Sequence, residues 1–308
     1  MRKVAIVTGA NCGIGLAVVR QLCKQFRGDV YLTSRMSDKG KAAVELLRRE
    51  GLNPLFHELD VSQPDSIRMF EEFIVENYGG VDIIVNNAAV NFGKDKVPVY
   101  RQAQLCLEVD FTGTLNMCKI FLPHLRPHAR IVNLTNGYLA KKSALSKQAQ
   151  SKLDVSTMSL ADCWLTMDAY VKAAKVGNHA NGGWPASPTQ AAKILIVAMT
   201  KVLSRDMKDD HRKNILINAC CPGWTDTGGS AAYRGTNGIC QASNLQTADE
   251  AAEDVAWVAT IRPGQDSPNG EVLRNRKVIP VTFRTATEVL EACFRHNRKN
   301  HCCHLLDN

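Results

Sequence analysis

The chain has 308 residues, 45% hydrophobic and 22% charged, enough to bury a large core without disulfides or metal and unlike a disordered chain. No stretch approaches the roughly 18 consecutive apolar residues that a membrane span needs. Its 38 Lys and Arg against 30 Asp and Glu leave a formal charge of +8, dispersed along the chain, so the surplus suits anionic small ligands as well as nucleic acid and decides neither.

Short Val/Ile/Leu-rich runs alternate with helical patterns, as in βαβ units and a parallel sheet. Six runs predict strands: Val4–Thr8, Asp29–Thr33, Pro54–Glu58, Ile83–Asn86, Arg130–Leu134 and Ile215–Ala219. Their composition is that of strands covered on both faces. Val18, Leu22 and Phe26 recur at four-residue spacing after the first run. Ile67, Phe70 and Ile74 follow the i, i+3, i+7 rule after the third, with Pro64 suited to a helix start. Lys141 to Gly183 breaks the rhythm: it is polar at first, helical in pattern around Trp164–Val176, and closes in Asn-Gly-Gly-Trp-Pro. The expected fold is α/β, a doubly wound parallel sheet of Rossmann type. The expected organisation is one domain over residues 1–280 with a helical insert at 141–183, then a basic Cys/His-rich tail at 281–308.

Eleven cysteines occur, an odd number, and no C-x-x-C pair is among them, which argues against a zinc ribbon or a thioredoxin-type motif. The tail residues Cys293, His296, His301, Cys302, Cys303 and His304 have irregular spacing that suits no standard metal site, so no metal is expected. The opening Met-Arg-Lys-Val-Ala-Ile-Val-Thr-Gly lacks the length and cleavage region of a secretory signal. A cytoplasmic compartment with reduced thiols is the expectation. The lysines of Lys141–Lys152 lack the aromatic residues that stack bases, so no nucleic-acid partner and no membrane partner is expected.

The chemistry begins at Thr8-Gly9-Ala10-Asn11-Cys12-Gly13-Ile14-Gly15, which follows the first strand and opens the first helix. Glycines there allow a tight turn and bring backbone N–H groups against a pyrophosphate at the helix N-terminus. The spacing is T-G-x-x-x-G-x-G rather than G-x-G-x-x-G. At the end of the second strand, where NAD-binding chains commonly carry a carboxylate for the ribose, the run is Thr33-Ser34-Arg35. Arg35 offers a 2′-phosphate charge-assisted hydrogen bonds, which biases the cofactor to NADP(H); the alternative is a solvated surface arginine.

With these motifs, together with Leu59-Asp60-Val61, Asn86-Asn87-Ala88-Ala89, Gly183-Trp184-Pro185 and Asn218-Ala219-Cys220-Cys221-Pro222-Gly223-Trp224, the chain resembles the short-chain dehydrogenase/reductase family, and more closely its carbonyl reductase branch. The resemblance runs from about Val4 to about Pro280. It implies a doubly wound seven-stranded sheet and cofactor contacts at Gly9, Asn11, Cys12, Gly13, Ile14, Gly15, Arg35, Asp60, Val61, Asn87, Lys193, Pro222 and Gly223. It also implies a monomer, because the insert resembles the segment that covers the face other members use to oligomerise.

In that family a Tyr donates the proton while NADPH gives the hydride, a Lys four residues later holds the nicotinamide ribose, a Ser orients the carbonyl and an Asn supports a water-linked relay. The pattern falls on Trp184-Pro185-Ala186-Ser187-Pro188-Thr189-Gln190-Ala191-Ala192-Lys193, so Lys193 is present and Thr189 stands at the Tyr position. Val132-Asn133-Leu134-Thr135-Asn136 puts Asn136 at the Ser position, and Asp110-Phe111-Thr112-Gly113-Thr114 puts Asp110 at the Asn position. A phenol has a reference pKa near ~10 and can be drawn down by an adjacent ammonium, whereas an aliphatic alcohol is a poor proton donor. Asn136 retains an amide donor, and Asp110 brings a negative charge that opposes alkoxide development. Tyr138 is a candidate replacement acid or a pocket wall; Cys221 and Trp224 are the further substrate-side candidates, with a glutathione-type ligand the added expectation for Cys221 and an inert buried thiol the alternative. The expected function is NADPH-dependent reduction of a small-molecule carbonyl (ketone, aldehyde or quinone), weakened by these departures; the alternative is a catalytically impaired NADP(H)-binding regulatory or scaffold protein.

Overall fold

The computed structural model describes residues 1–90, 92, 97–136, 145, 146, 149, 153–227, 245–262, 264 and 267–281. Eight strands among them form one sheet: β1 (Val4–Val7), β2 (Asp29–Ser34), β3 (Leu55–Glu58), β4 (Val81–Asn86), β5 (Leu125–Leu134), β6 (Leu216–Cys220), β7 (Val272–Arg274) and β8 (Lys277–Ile279). Their order is β3-β2-β1-β4-β5-β6-β7-β8. The first seven are parallel and β8 returns antiparallel on β7. The six expected strands are all present. The resemblance implied seven; the eighth is the return arm of a short hairpin whose residues Lys277 and Val278 are exposed.

Helices cover both faces. On one side lie α1 (Gly13–Gln25), α2 (Ser37–Arg49) and α8 (Ala248–Ala259), which bury Val18, Leu22, Val44, Leu47, Val255 and Ala256 against the strands. On the other lie α3 (Pro64–Tyr78), α4 (Val99–Leu105), α5 (Thr114–Phe121), α6 (Leu160–Lys175) and α7 (Pro188–Asp206). Their buried residues include Ile67, Phe70, Ile74, Phe121, Tyr170 and Ile194. The predicted spacing of the α3 stripe is therefore its buried face. Pro64 opens α3, where its missing N–H costs nothing. In the insert, α6 is fixed by a capping box: Ser159 and Asp162 satisfy each other's backbone N–H groups.

Two features aim side chains at one end of the sheet. A π-helical segment, Cys106–Gly113, joins α4 to α5 and widens the turn that carries Asp110. A buried amide chain ties β4, β5 and α7: Asn86 Nδ2 donates to Asn133 Oδ1 at 2.8 Å, and Asn133 Nδ2 donates to Thr200 Oγ1 at 2.9 Å. Because unpaired buried amides are expensive, this chain sets the position of α7, and so of Thr189 and Lys193.

Candidate active site

β1 lies between β2 and β4, so the strand order reverses there and opens a crevice at the C-terminal ends of β1 and β4. The glycine loop lines it. Thr8 Oγ1 accepts from the backbone N–H groups of Asn87 and Ala88, both at 3.0 Å. Asn87 Nδ2 in turn donates to the carbonyls of Thr8 at 2.9 Å and Gly9 at 3.0 Å. Gly9 has φ +60°, and a Cβ there would lie 2.8 Å from Ala88 Cα. A Cβ on Gly15 would lie 2.5 Å from Asn87 Nδ2. Both glycines are thus required by close backbone approach.

The loop delivers the start of α1 into the crevice. Cys12 at its N-cap makes no side-chain cap bond, and the first turn carries no acidic residue, so the first N–H groups remain available to an anion. Cys12 is exposed; Gly13 and Ile14 are half-buried beside it. Asn11 Oδ1 accepts from Ser34 Oγ at 3.2 Å, which ties the loop to the end of β2, and Arg35 follows there, exposed. Asp60 sits past β3 with its Oδ1 accepting from the N–H of Ser62 at 3.0 Å and from its hydroxyl at 2.7 Å, and Val61 is buried beside it. On the far wall Gln246 holds the loop after β6: its side chain donates to the Pro222 carbonyl and its backbone N–H to the Trp224 carbonyl. The Thr227 methyl from this loop lies 3.6 Å from where a Gly13 Cβ would stand, so the loop closes over the start of α1.

At the end of β5 stands the other half of the site. Lys193 Nζ donates to the Leu134 carbonyl at 3.1 Å, and Thr135 Oγ1 donates to the Lys193 carbonyl at 3.0 Å. Asn136 follows, half-buried. One turn before Lys193 on α7, Thr189 lies with its hydroxyl 3.8 Å from Cys106 Sγ of the π segment. Burial pushes the Cys106 thiol well up, and Asp110 adds to it. Asp110 is fully buried: Oδ1 accepts from the Val90 N–H at 2.7 Å, while Oδ2 has no hydrogen-bond partner. Burial raises its pKa to about 6, against the opposing pull of Lys193 and the Val90 N–H. Sealed from water, the Asp110 carboxyl keeps its proton to a higher pH than a free carboxyl does, while the ionised form still prevails at neutral pH.

Of the four positions that the family pattern implies, Asp110 is bonded to Val90 just past β4, Thr189 faces Cys106, Lys193 is bonded to Leu134 at the end of β5, and Asn136 follows that strand. Tyr138 and the 282–308 part of the tail lie outside the described residues. Cys221 is only 1% exposed, packed in the core with its N–H bonded to Leu273, so the placement matches an inert buried thiol rather than a ligand-facing one. Trp224 is half-buried on the crevice wall. Cys106, Gln246 and Thr227 were not foreseen; Cys106 reads as one more apolar helix residue, and Gln246 and Thr227 reach the site only through the loop's path.

The raised Asp110 pKa has a stability consequence. The group binds its proton more tightly folded than unfolded, so its contribution is fully present below about pH 4 and lost as pH rises through about 6. Asp110→Asn is expected to be more stable than wild type at alkaline pH by up to roughly 3 kcal/mol, the cost of holding an ionised carboxyl in that sealed site. Thermal unfolding measured across pH checks this: the gap should close on acidification, and a constant gap would contradict it.

The short chain dehydrogenase family profile matches residues 3–148. Rat carbonyl reductase (NADPH) 1 is 37% identical over 91% of this chain and 98% of its own length. Human carbonyl reductase (NADPH) 3 is 38% identical, over 90% and 97%. Among solved structures, salutaridine reductase from Papaver somniferum superposes with a TM-score of 0.74 at 26% identity, covering 88% of this chain and 99% of its own. A short chain dehydrogenase from Burkholderia cenocepacia in complex with NADP gives a TM-score of 0.60 at 25% identity, covering 88% and 95%. The chain belongs to the short-chain dehydrogenase/reductase family, in its carbonyl reductase branch.

Proposed function

We propose that this protein binds NADP(H) and reduces the carbonyl of a small ketone, aldehyde or quinone, at a rate held down by its altered proton-transfer residues. The carrying observation is a contrast within one site. The dinucleotide cradle is assembled to the last hydrogen bond at Thr8, Gly9 and Asn87, and Lys193 stands ready beyond β5. The phenol position, by contrast, holds Thr189, its hydroxyl turned to a buried thiol.

The residues fit the cofactor. The open N–H groups of α1 would receive the pyrophosphate and Arg35 a 2′-phosphate; Asp60, Val61, Pro222, Gly223 and Lys193 would hold the rest of the dinucleotide, as the resemblance implies. Bound NADPH supplies a hydride. The chain's own part is to orient the carbonyl through the Asn136 amide, with Trp224 as a pocket wall, and to deliver a proton. The second reading, a cofactor-binding regulatory or scaffold protein, draws on the same Thr189 observation. We place the protein in the cytoplasm as a monomer of one domain over residues 1–280. The packing of α6 on α4 and the π segment supports the monomer, since the insert covers that outer face. Cys221 supports no glutathione-type ligand in its buried position.

NADPH should bind more tightly than NADH by about tenfold, the scale of one exposed charge-assisted contact. The margin is modest because Cys12 supplies no second cation in the loop. Fluorescence titration with both cofactors tests this, and Arg35→Ala should remove the difference. Equal affinities in the wild type would overturn the role given to Arg35.

A further inference from the structure

Arg274 ends β7, on the far side of β6 from β5. The preceding residue, Leu273, accepts from the Cys221 N–H at 2.8 Å, so Arg274 lies beside the turn that follows β6. Its Nη2 is 3.2 Å from where a Gly223 Cβ would stand, and the missing side chain of Gly223 makes room for the guanidinium. Arg274 is half-buried, and among the described residues it has no ion pair and no side-chain hydrogen bond. Arg20, Arg126, Arg130, Arg205 and Arg212, the other buried or half-buried arginines among them, each bond carboxylates or carbonyls. A partly desolvated cation without a partner is costly, and such a group fits a site that a ligand completes.

We propose that Arg274 binds an anionic group of the substrate, so that the protein takes carbonyl compounds carrying a carboxylate set apart from the reacting carbonyl. This deepens the reading given above and rests on it.

The placement favours this role. Val272 packs in the core beneath α6 and α7 and Leu273 in the opposite one, so alternation returns Arg274 to the α7 face. Along that face α7 runs from the crevice downward: Lys193 reaches Leu134 at the end of β5, and Lys201 reaches Glu271 just before β7. The first turn of α7, with Thr189, therefore shares one face and one end of the sheet with Arg274. Nearby carboxylates are engaged elsewhere: Glu271 pairs with Lys201 at 3.1 Å, and Asp254 accepts from the N–H groups of Asn275 and Arg276 at 2.6 and 2.8 Å. The turn after β6 does not need the guanidinium either. Gln246 ties it through its side chain on the Pro222 carbonyl and its backbone on Trp224 and Asp226. Strands lie about 4.8 Å apart, which puts the end of β7 roughly 10 Å from the end of β5, where Asn136 and Lys193 stand. A guanidinium reaching back over β6 shortens that span. An aromatic ring between carbonyl and carboxylate bridges it, whereas a carboxylate bonded directly to the carbonyl does not.

Isothermal titration of 4-carboxybenzaldehyde and of its methyl ester into full-length protein saturated with NADP+, where no hydride is available, isolates this contact from turnover. The wild type should bind the acid about tenfold more tightly than the ester, with an advantage that shrinks as salt rises. Phenylglyoxylate should have no such advantage over its own methyl ester. Arg274→Gln should lose the advantage of the acid while its affinities for the ester and for NADPH stay unchanged, and Arg274→Lys should keep part of it. A residue that only supported the turn would weaken acid and ester alike. Equal binding of acid and ester by the wild type, binding of neither, the same advantage for phenylglyoxylate, or an Arg274→Gln variant that keeps the preference would overturn this proposal alone. Failure of the wild type to bind NADPH and NADP+ would overturn the functional reading and the proposal with it.

Discussion

Thr189→Tyr combined with Asn136→Ser is expected to raise carbonyl turnover at saturating NADPH by about 10²-fold, the low end of what a positioned general acid contributes. Thr189 occupies the first turn of α7, one helical turn before Lys193, and it is half-buried at the crevice. A phenol there reaches several ångströms further than a threonine hydroxyl and leaves the Cys106 thiol for the open site. The Lys193 ammonium, held by the Leu134 carbonyl, then lowers its pKa toward neutrality. Asn136→Ser restores a hydroxyl at the end of β5 to orient the carbonyl. Steady-state kinetics on a panel of quinones and aldehydes reads the outcome. An unchanged rate with NADPH still bound would favour the scaffold reading.

Gly15→Ala is expected to cost at least roughly 10²-fold in NADPH affinity, about 2.7 kcal/mol. The added methyl would sit 2.5 Å from Asn87 Nδ2 and 2.8 Å from Ala10 Cα, closer than non-bonded atoms approach. Either the Asn87 amide leaves the Thr8 and Gly9 carbonyls or α1 shifts away from the loop. Both outcomes move the N–H groups that face the crevice. Fluorescence titration of the variant checks this, with circular dichroism to show that it is folded. Wild-type affinity in a folded Gly15→Ala protein would show that the loop does not bind the pyrophosphate.

The legible part of this molecule was its apolar rhythm. Buried parallel strands announce themselves as short apolar runs, Val-Ala-Ile-Val in β1 and Ile-Ile-Val after Asp82 in β4, and the α3 stripe as a helical one. β5 begins at Leu125 rather than Arg130 because its first residues include Pro127 and a left-handed His128, which carry no strand signal. β7 and β8 are three residues each, too short for any period to emerge. In the site, the family resemblance named Thr189, Lys193, Asn136 and Asp110, by the pattern that falls on Trp184–Lys193, Val132–Asn136 and Asp110–Thr114. Their chemistry was less visible. That the Asp110 carboxyl is drawn toward its protonated form follows from complete burial, a tertiary property. That Asn87 is engaged by the Thr8 and Gly9 carbonyls follows from β4 ending beside β1.

The most direct test of a retained cofactor site with a weakened proton donor is the turnover of wild-type protein on a quinone and aldehyde panel, at NADPH concentrations shown to saturate it. Saturable NADPH binding with slow turnover, well below that of the Thr189→Tyr, Asn136→Ser variant and little changed by Tyr138→Phe, is the predicted result. Brisk wild-type turnover abolished by Tyr138→Phe would contradict it and make Tyr138 the acid.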